Sequence, residues 1–202
     1  MSLYQHAQSL YNLFPETWRS SIILGGGCLR AYYDNIPIKD IDCFFRSEED
    51  YLTVVRTIAH TPGYTPLKIH ERYCEYRHPG GRVINLVGFV FGHPDGHLHR
   101  FDFRCCQFVA WYDDEANLQT DCILEAPDDA DARLLYIQNN NGTERTLRRI
   151  RHYIEDYGYL LHPDQTVEQE DAFEQEAEPD WMRVARRRLA ALTVQRYEYP
   201  EA

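Results

Sequence analysis

Asp40 and Asp42 stand two residues apart in the run Asp-Ile-Asp-Cys-Phe-Phe that ends at Phe45. Read as a strand, this run points both carboxylates to one side, roughly 7 Å apart along the chain. Ile41, Cys43 and Phe44 indicate that the strand is otherwise buried, and two unpartnered acids in such a place would be costly. A divalent cation is the simplest partner, and an oxygen-only donor set favours Mg²⁺ or Mn²⁺ over zinc. A few residues upstream, an apolar strand from Ile22 to Leu24 runs into three glycines, and a short helix opens at about Cys28. Gly26 and Gly27 lack a Cβ, so backbone N–H groups there can approach a ligand, and the positive end of a helix attracts phosphate. A phosphate cradle followed by a metal-binding acid pair is what nucleoside triphosphate chemistry needs.

A third acid, Asp102, lies between Phe101 and Phe103 in a strand-like run from Leu98 to Trp111. Strand alternation puts Asp102 and Arg104 on one face, so an ion pair between them is one reading. The other sets Asp102 beside Asp40 and Asp42 as the third carboxylate of one site. His93, His97 and His99 cluster in the turn before it and read as a solvated hairpin tip rather than a zinc site.

The elements that must hold these residues follow from periodicity and punctuation. Leu3 to Leu13 carries apolar residues at helical spacing and stops before Pro15. Ser47 caps a helix that runs to His60, with Leu52, Val55, Ile58 and Ala59 facing the core. Three strand-like runs follow, Leu67 to Arg77, Arg82 to Phe91 and Leu98 to Trp111, which read as an antiparallel meander with Pro-Gly-Gly and His-Pro-Asp-Gly turns. After Pro127 the chain turns helical, from Asp129 to Gln138, and breaks at three asparagines and Gly142. A second helix runs from Thr143 to Tyr157 and ends on Gly158. On it Arg145, Arg148 and His152 share a face.

The expected fold is therefore α+β: a mixed, mostly antiparallel sheet flanked by helices, with a small C-terminal helical extension. Residues 1–126 form the catalytic domain, 127–162 a helical extension against the nucleotide, and 163–202 an acidic linker with a basic helix from Trp181 to Val194. Met182, Ala185, Leu189 and Leu192 give that last helix an apolar stripe for docking on the body. Its Arg186-Arg-Arg188 cluster is expected to pair with the linker, where Pro163 to Asp180 holds eight acids and no Lys or Arg. The net charge of −11 argues against a general nucleic-acid binder. Six scattered cysteines without a Cys-x-x-Cys pair read as reduced thiols. No apolar run is long enough to span a membrane, and the N-terminus lacks the layout of a secretion signal, so the cytoplasm is the expected location.

The stretch Gly26-Gly-Cys-Leu-Arg30, followed by Lys39-Asp-Ile-Asp42 with twelve residues between Gly27 and Asp40, resembles the nucleotidyltransferase superfamily of DNA polymerase beta. The likeness is greatest to the head domain of class II CCA-adding enzymes and bacterial poly(A) polymerases. Those read Gly-Gly-Ala-Val-Arg-Asp and then Lys-Asp-Ile-Asp. Ala31 replaces the family's Asp after the Arg, which predicts a looser hold on Arg30. A second segment, Arg145-Thr-Leu-Arg148-Arg-Ile-Arg151 before Gly158-Tyr159, resembles the family's Arg-x-Leu-Arg-x-Ile-Arg helix. The family's base-reading Asp is replaced by Gly142, so the choice of nucleotide does not carry over.

The resemblance implies transfer of a nucleoside monophosphate from an NTP to an acceptor hydroxyl. Asp40 and Asp42 would hold two Mg²⁺ (or Mn²⁺) ions, one of them shared with Asp102, while Gly26, Gly27, Arg30, Lys39, Arg145, Arg148 and Arg151 bind the nucleotide. An RNA or tRNA 3′ end is the acceptor the relatives imply. A hydroxyl on a protein or small molecule, or a non-catalytic nucleotide-binding module, are the alternatives.

Overall fold

A computed structural model describes residues 1–165 and 180–191. Helix α1 (Leu3–Tyr11) is closed by a capping box, the Ser2 hydroxyl accepting from Gln5 and the Gln5 side chain returning to the Ser2 amide. A single turn, α2 (Glu16–Arg19), leads into β1 (Ile23–Gly25), α3 (Gly27–Asp34) and β2 (Asp40–Phe45). Then follow α4 (Glu48–Ile58), β3 (Thr65–His70), β4 (Tyr73–Arg77), β5 (Val83–Phe91), α5 (Pro94–Leu98), β6 (Phe108–Tyr112) and β7 (Leu118–Cys122). The chain continues through α6 (Ala126–Asp131), β8 (Leu134–Leu135), α7 (Thr143–Tyr157), β9 (Leu160–Leu161) and α8 (Asp180–Ala191).

Seven strands form one sheet in the order β3-β4-β5-β2-β1-β6-β7. Every pairing is antiparallel except β2 with β5, so the expected mixed, mostly antiparallel sheet is what forms. The alternation of β2 divides the molecule. Ile41, Cys43 and Phe45 are fully buried beneath the helices, whereas Asp40, Asp42 and Phe44 lie on the opposite, more open face. That split follows from the two-residue period of a strand.

Several expectations are corrected. Leu67 to Arg77 is a hairpin of two strands, because the chain reverses at Glu71-Arg72 and Ile69 pairs with Cys74. On α4 the buried residues are Tyr51, Val54 and Ile58, while Ala59 is exposed. The histidine turn is not a solvated tip. It is α5, where buried His97 bonds the Phe45 carbonyl at 3.2 Å and burial pulls its pKa down to about 4. Residues 99–102 are irregular and 104–106 form a 3₁₀ turn, so the strand expected from Leu98 begins only at Phe108. The expected helix from Asp129 to Gln138 is instead the end of α6 followed by β8. Helix α7 has the expected bounds, closed by Gly158 at φ 70°. Helix α8 buries Met182, Ala185 and Leu189; Leu192 and the acidic segment 166–179 lie outside the described residues. Arg186 pairs with Glu144 on α7 at 3.3 Å. Among the described residues, no helix is long and apolar enough to cross a membrane.

Candidate active site

The glycines set the geometry. Gly26 caps α3 at φ 73°, ψ −134°, a conformation that side chains other than hydrogen rarely adopt. A Cβ on Gly25 or Gly26 would meet the Phe101 ring at 2.8 or 2.9 Å. The absent side chains therefore let the segment carrying Phe101 lie against the end of β1. Gly25 is in register with Asp42, so the same approach carries Asp102 toward the acids of β2. Gly27 differs, since a Cβ there would meet nothing within 4 Å. It opens onto a cavity at the start of α3, where the amides of Leu29 and Arg30 bond the Gly26 carbonyl and those of Gly27 and Cys28 precede any intrahelical acceptor.

Asp40 and Asp42 are bridged by one neutral group. The Asn85 amide donates to Asp40 Oδ2 at 3.2 Å and to Asp42 Oδ1 at 2.9 Å. Asn85 lies directly across from Asp42 in the parallel pairing with β5. Asp40 is exposed and Asp42 half-buried. Burial, and then the neighbouring Asp40, push the Asp42 pKa up to about 6, against the Asn85 hydrogen bond that favours the ionised form. The pair thus concentrates negative charge that a single amide does not neutralise. Its oxygen donors, converging on a common hydrogen-bond donor, fit a hard divalent cation such as Mg²⁺ or Mn²⁺.

Asp102 is compensated differently. It is 1% exposed. Its Oδ2 accepts from Arg149 Nη1 at 2.6 Å, and its Oδ1 accepts from Asn141. The ion pair imagined with Arg104 does not form, because Arg104 makes a two-pronged bond to Asp129 at 2.7 and 3.0 Å. Two of the three asparagines, legible only as a helix break, clamp this segment, while Asn140 bonds Thr143 and the Leu189 carbonyl. Asn139 Nδ2 donates to the His99 and Phe101 carbonyls, and Asn141 Nδ2 also bonds the Arg100 carbonyl. The Asp102 carbonyl accepts from the amides of Gln138 and Asn139 at 2.8 and 3.1 Å.

Two cavities meet at Asp42, Arg145 and Arg149. One, about 370 Å³, is walled by Phe44, Tyr73, Phe89 and Phe101 and includes Asp102. The other, about 310 Å³, is lined by Gly27, Arg30, Lys39, Asp40, His152 and Tyr157. The structure therefore brings Asp40, Asp42, Gly27, Arg30, Lys39 and Arg145 to one cavity and Asp42, Asp102 and Arg145 to the other. Arg30 is already engaged: its Nε lies 2.6 Å from Asp34, and its guanidinium bonds the Tyr153 hydroxyl and sits 4.8 Å from that ring. Asp34, one turn on, thus holds Arg30 in spite of Ala31. Lys39 Nζ lies 3.3 Å from His152 Nε2 and 5.0 Å from the Tyr157 ring centre. Arg148 and Arg151 are exposed and line neither cavity, and Arg151 Nε lies 3.6 Å from Glu155.

Sequence reasoning missed Asn85, Asn141 and Arg149. Asn85 carried a signal, a lone amide in the run Val-Ile-Asn-Leu-Val. Arg149 carried one too, since it stands four residues after Arg145 and four before Tyr153 on α7. Arg148 and Arg151, chosen instead, turn toward the exposed side of that helix. Among the described residues, no group of three or more His, Cys, Asp or Glu converges as a metal-holding cluster.

A family model described as "Gabija anti-defense 2 family protein" matches residues 3–129, more than half of the chain. Comparison with curated proteins found no match. Among solved structures, a CCA-adding enzyme with CTP is similar at TM-score 0.56 and 15% identity, covering 77% of this chain and 39% of that one. The Thermotoga maritima CCA-adding enzyme complexed with tRNA gives TM-score 0.52 and 16% identity, covering 78% and 42%. A tRNA nucleotidyltransferase complexed with a primer tRNA and an incoming ATP analogue gives TM-score 0.53 and 13% identity, covering 80% and 47%. The fold is thus that of the nucleotidyltransferases, and the chain spans less than half the length of these structures.

Proposed function

This chain belongs to the Gabija anti-defense 2 family, and on that footing we propose that it is a divalent-cation-dependent nucleotidyltransferase acting against that defence. It moves a nucleoside monophosphate from an NTP to an acceptor hydroxyl. The observation that carries this reading is the junction at Asp42, where a glycine-opened, lysine- and arginine-lined cavity meets an aromatic-walled one.

The first cavity takes the triphosphate. Gly27 leaves room for phosphate oxygens beside the first two amides of α3. Lys39 and Arg145 offset charge on the leaving pyrophosphate, and Tyr157 offers a ring face beside Lys39. Asp40 and Asp42 would hold the cation, with Asn85 fixing their separation. When bound, such an ion neutralises the triphosphate and lowers the pKa of an attacking hydroxyl. The second cavity takes the acceptor, whose hydroxyl must reach Asp42 from the side of Asp102.

The solved neighbours in complex with tRNA favour an RNA 3′ end as acceptor. The anti-defence family favours instead a hydroxyl on a component of the opposed defence. Incubation with Mg²⁺ and each labelled NTP, with total tRNA, with that defence's proteins, or alone, tests both. Label in tRNA or in a defence protein identifies the acceptor. Binding of NTP without transfer to any of them would replace the enzyme by a nucleotide-binding module.

A further inference from the structure

We infer that Arg149 takes the place of a second metal ion, so that the site holds one divalent cation, at Asp40 and Asp42, and a fixed guanidinium beside Asp102. This rests on the nucleotidyltransferase reading and departs from the two-ion, three-carboxylate arrangement that the sequence resemblance implies.

Four observations carry it. Both oxygens of the Asp102 carboxylate are already engaged, Oδ2 accepting from Arg149 at 2.6 Å and Oδ1 from Asn141, so a metal ion would have to compete with a charge-assisted bond already in place. Arg149 is itself pinned, with its guanidinium 5.5 Å from the Phe103 ring centre. It faces Asp42 as well as Asp102 and lines both cavities, so its charge occupies the space that an ion shared by those two acids would need. A dication placed there would face the full positive charge of Arg149 at close range, and like charges repel. The acids of β2 stand in contrast: a neutral amide bridges them, and they keep their need for a cation.

Arg149 is accordingly a positioning residue. It holds Asp102 oriented toward the acceptor cavity, and it supplies the charge compensation that metal would otherwise provide there.

The test is Mn²⁺ binding to the full chain, counted by loss of the free-ion signal in electron paramagnetic resonance. The wild type should bind one Mn²⁺ per chain, and Asp102→Asn should leave both the count and the affinity within about threefold. Arg149→Met frees the Asp102 carboxylate and should add a second ion or tighten the first by about tenfold, whereas Arg149→Lys, which keeps the charge, should stay at one. Two ions in the wild type with one lost in Asp102→Asn would overturn the inference and leave the nucleotidyltransferase reading standing. An unchanged count and affinity in a folded Arg149→Met would overturn it as well. If Arg149→Met does not fold, Asp102→Asn alone decides. Failure of the wild type to bind any Mn²⁺ at millimolar concentration would remove the metal half of the functional reading, and the inference with it.

Discussion

The acids of β2 and the acid at Asp102 lie around two cavities that meet at Asp42, yet their charges are compensated in opposite ways. Asp40 and Asp42 come from a single strand, sit at an open face, and share only a neutral amide. Asp102 comes from an irregular segment, is almost wholly buried, and has a guanidinium of its own. The first arrangement is incomplete until a cation arrives; the second is complete within the chain. A carboxylate in a candidate site is therefore not evidence of a metal ligand until its counter-charge has been identified.

The largest effect expected from breaking this contrast is on stability. Arg149→Met leaves Asp102 buried without its partner and should cost about 3–5 kcal/mol by urea denaturation. A loss below about 1 kcal/mol would mean that the two charges are not coupled. Asp40→Asn should leave the fold intact and lower NTP turnover by about 10²–10³-fold or more, the scale of losing one preorganised electrostatic group. Retained turnover would break the proposed role of the β2 acids.

Asp42 gives a pH-dependent effect of the opposite sign. Its folded pKa of about 6 lies above the ordinary value of 3.8. The native state therefore keeps this proton longer than the unfolded chain does, and stability declines as pH rises from about 4 through 6. Asp42→Asn should be more stable than the wild type at pH 8 by about 1–3 kcal/mol, with the gain vanishing near pH 4. Saturating Mn²⁺ should raise the wild-type melting temperature and close that gap. The smallest structural effect belongs to Gly27→Ala: with no atom within 4 Å of the added Cβ, stability should shift by less than about 0.5 kcal/mol while NTP binding weakens. Gly26→Ala, by contrast, meets Phe101 at a positive φ and should cost about 1–3 kcal/mol.

Much of the architecture was legible because it rests on local rules. The glycine turn, the run of α7 to Gly158, the Ser47 cap and the alternation of β2 each follow from backbone sterics or side-chain period within a few residues. The Asp40–Asp42 pair was legible for the same reason, since two residues on one strand share a face whatever lies around them. Less legible were segments whose partners are distant. The hairpin within Leu67 to Arg77, the short α5 and the irregular run to Asp102 all depend on what the sheet and Phe101 pack against.

The sequence alone determined that two carboxylates share the exposed face of one strand, next to a turn only glycine can make. Only the tertiary structure decided what neutralises each acid. Asn85 reaches Asp42 through a parallel pairing across 43 positions of chain, and Arg149 reaches Asp102 across 47. Charge compensation is a matter of a few ångströms in space, and such proximity between remote segments is set by how the whole sheet and its helices pack, not by the spacing of residues along the chain.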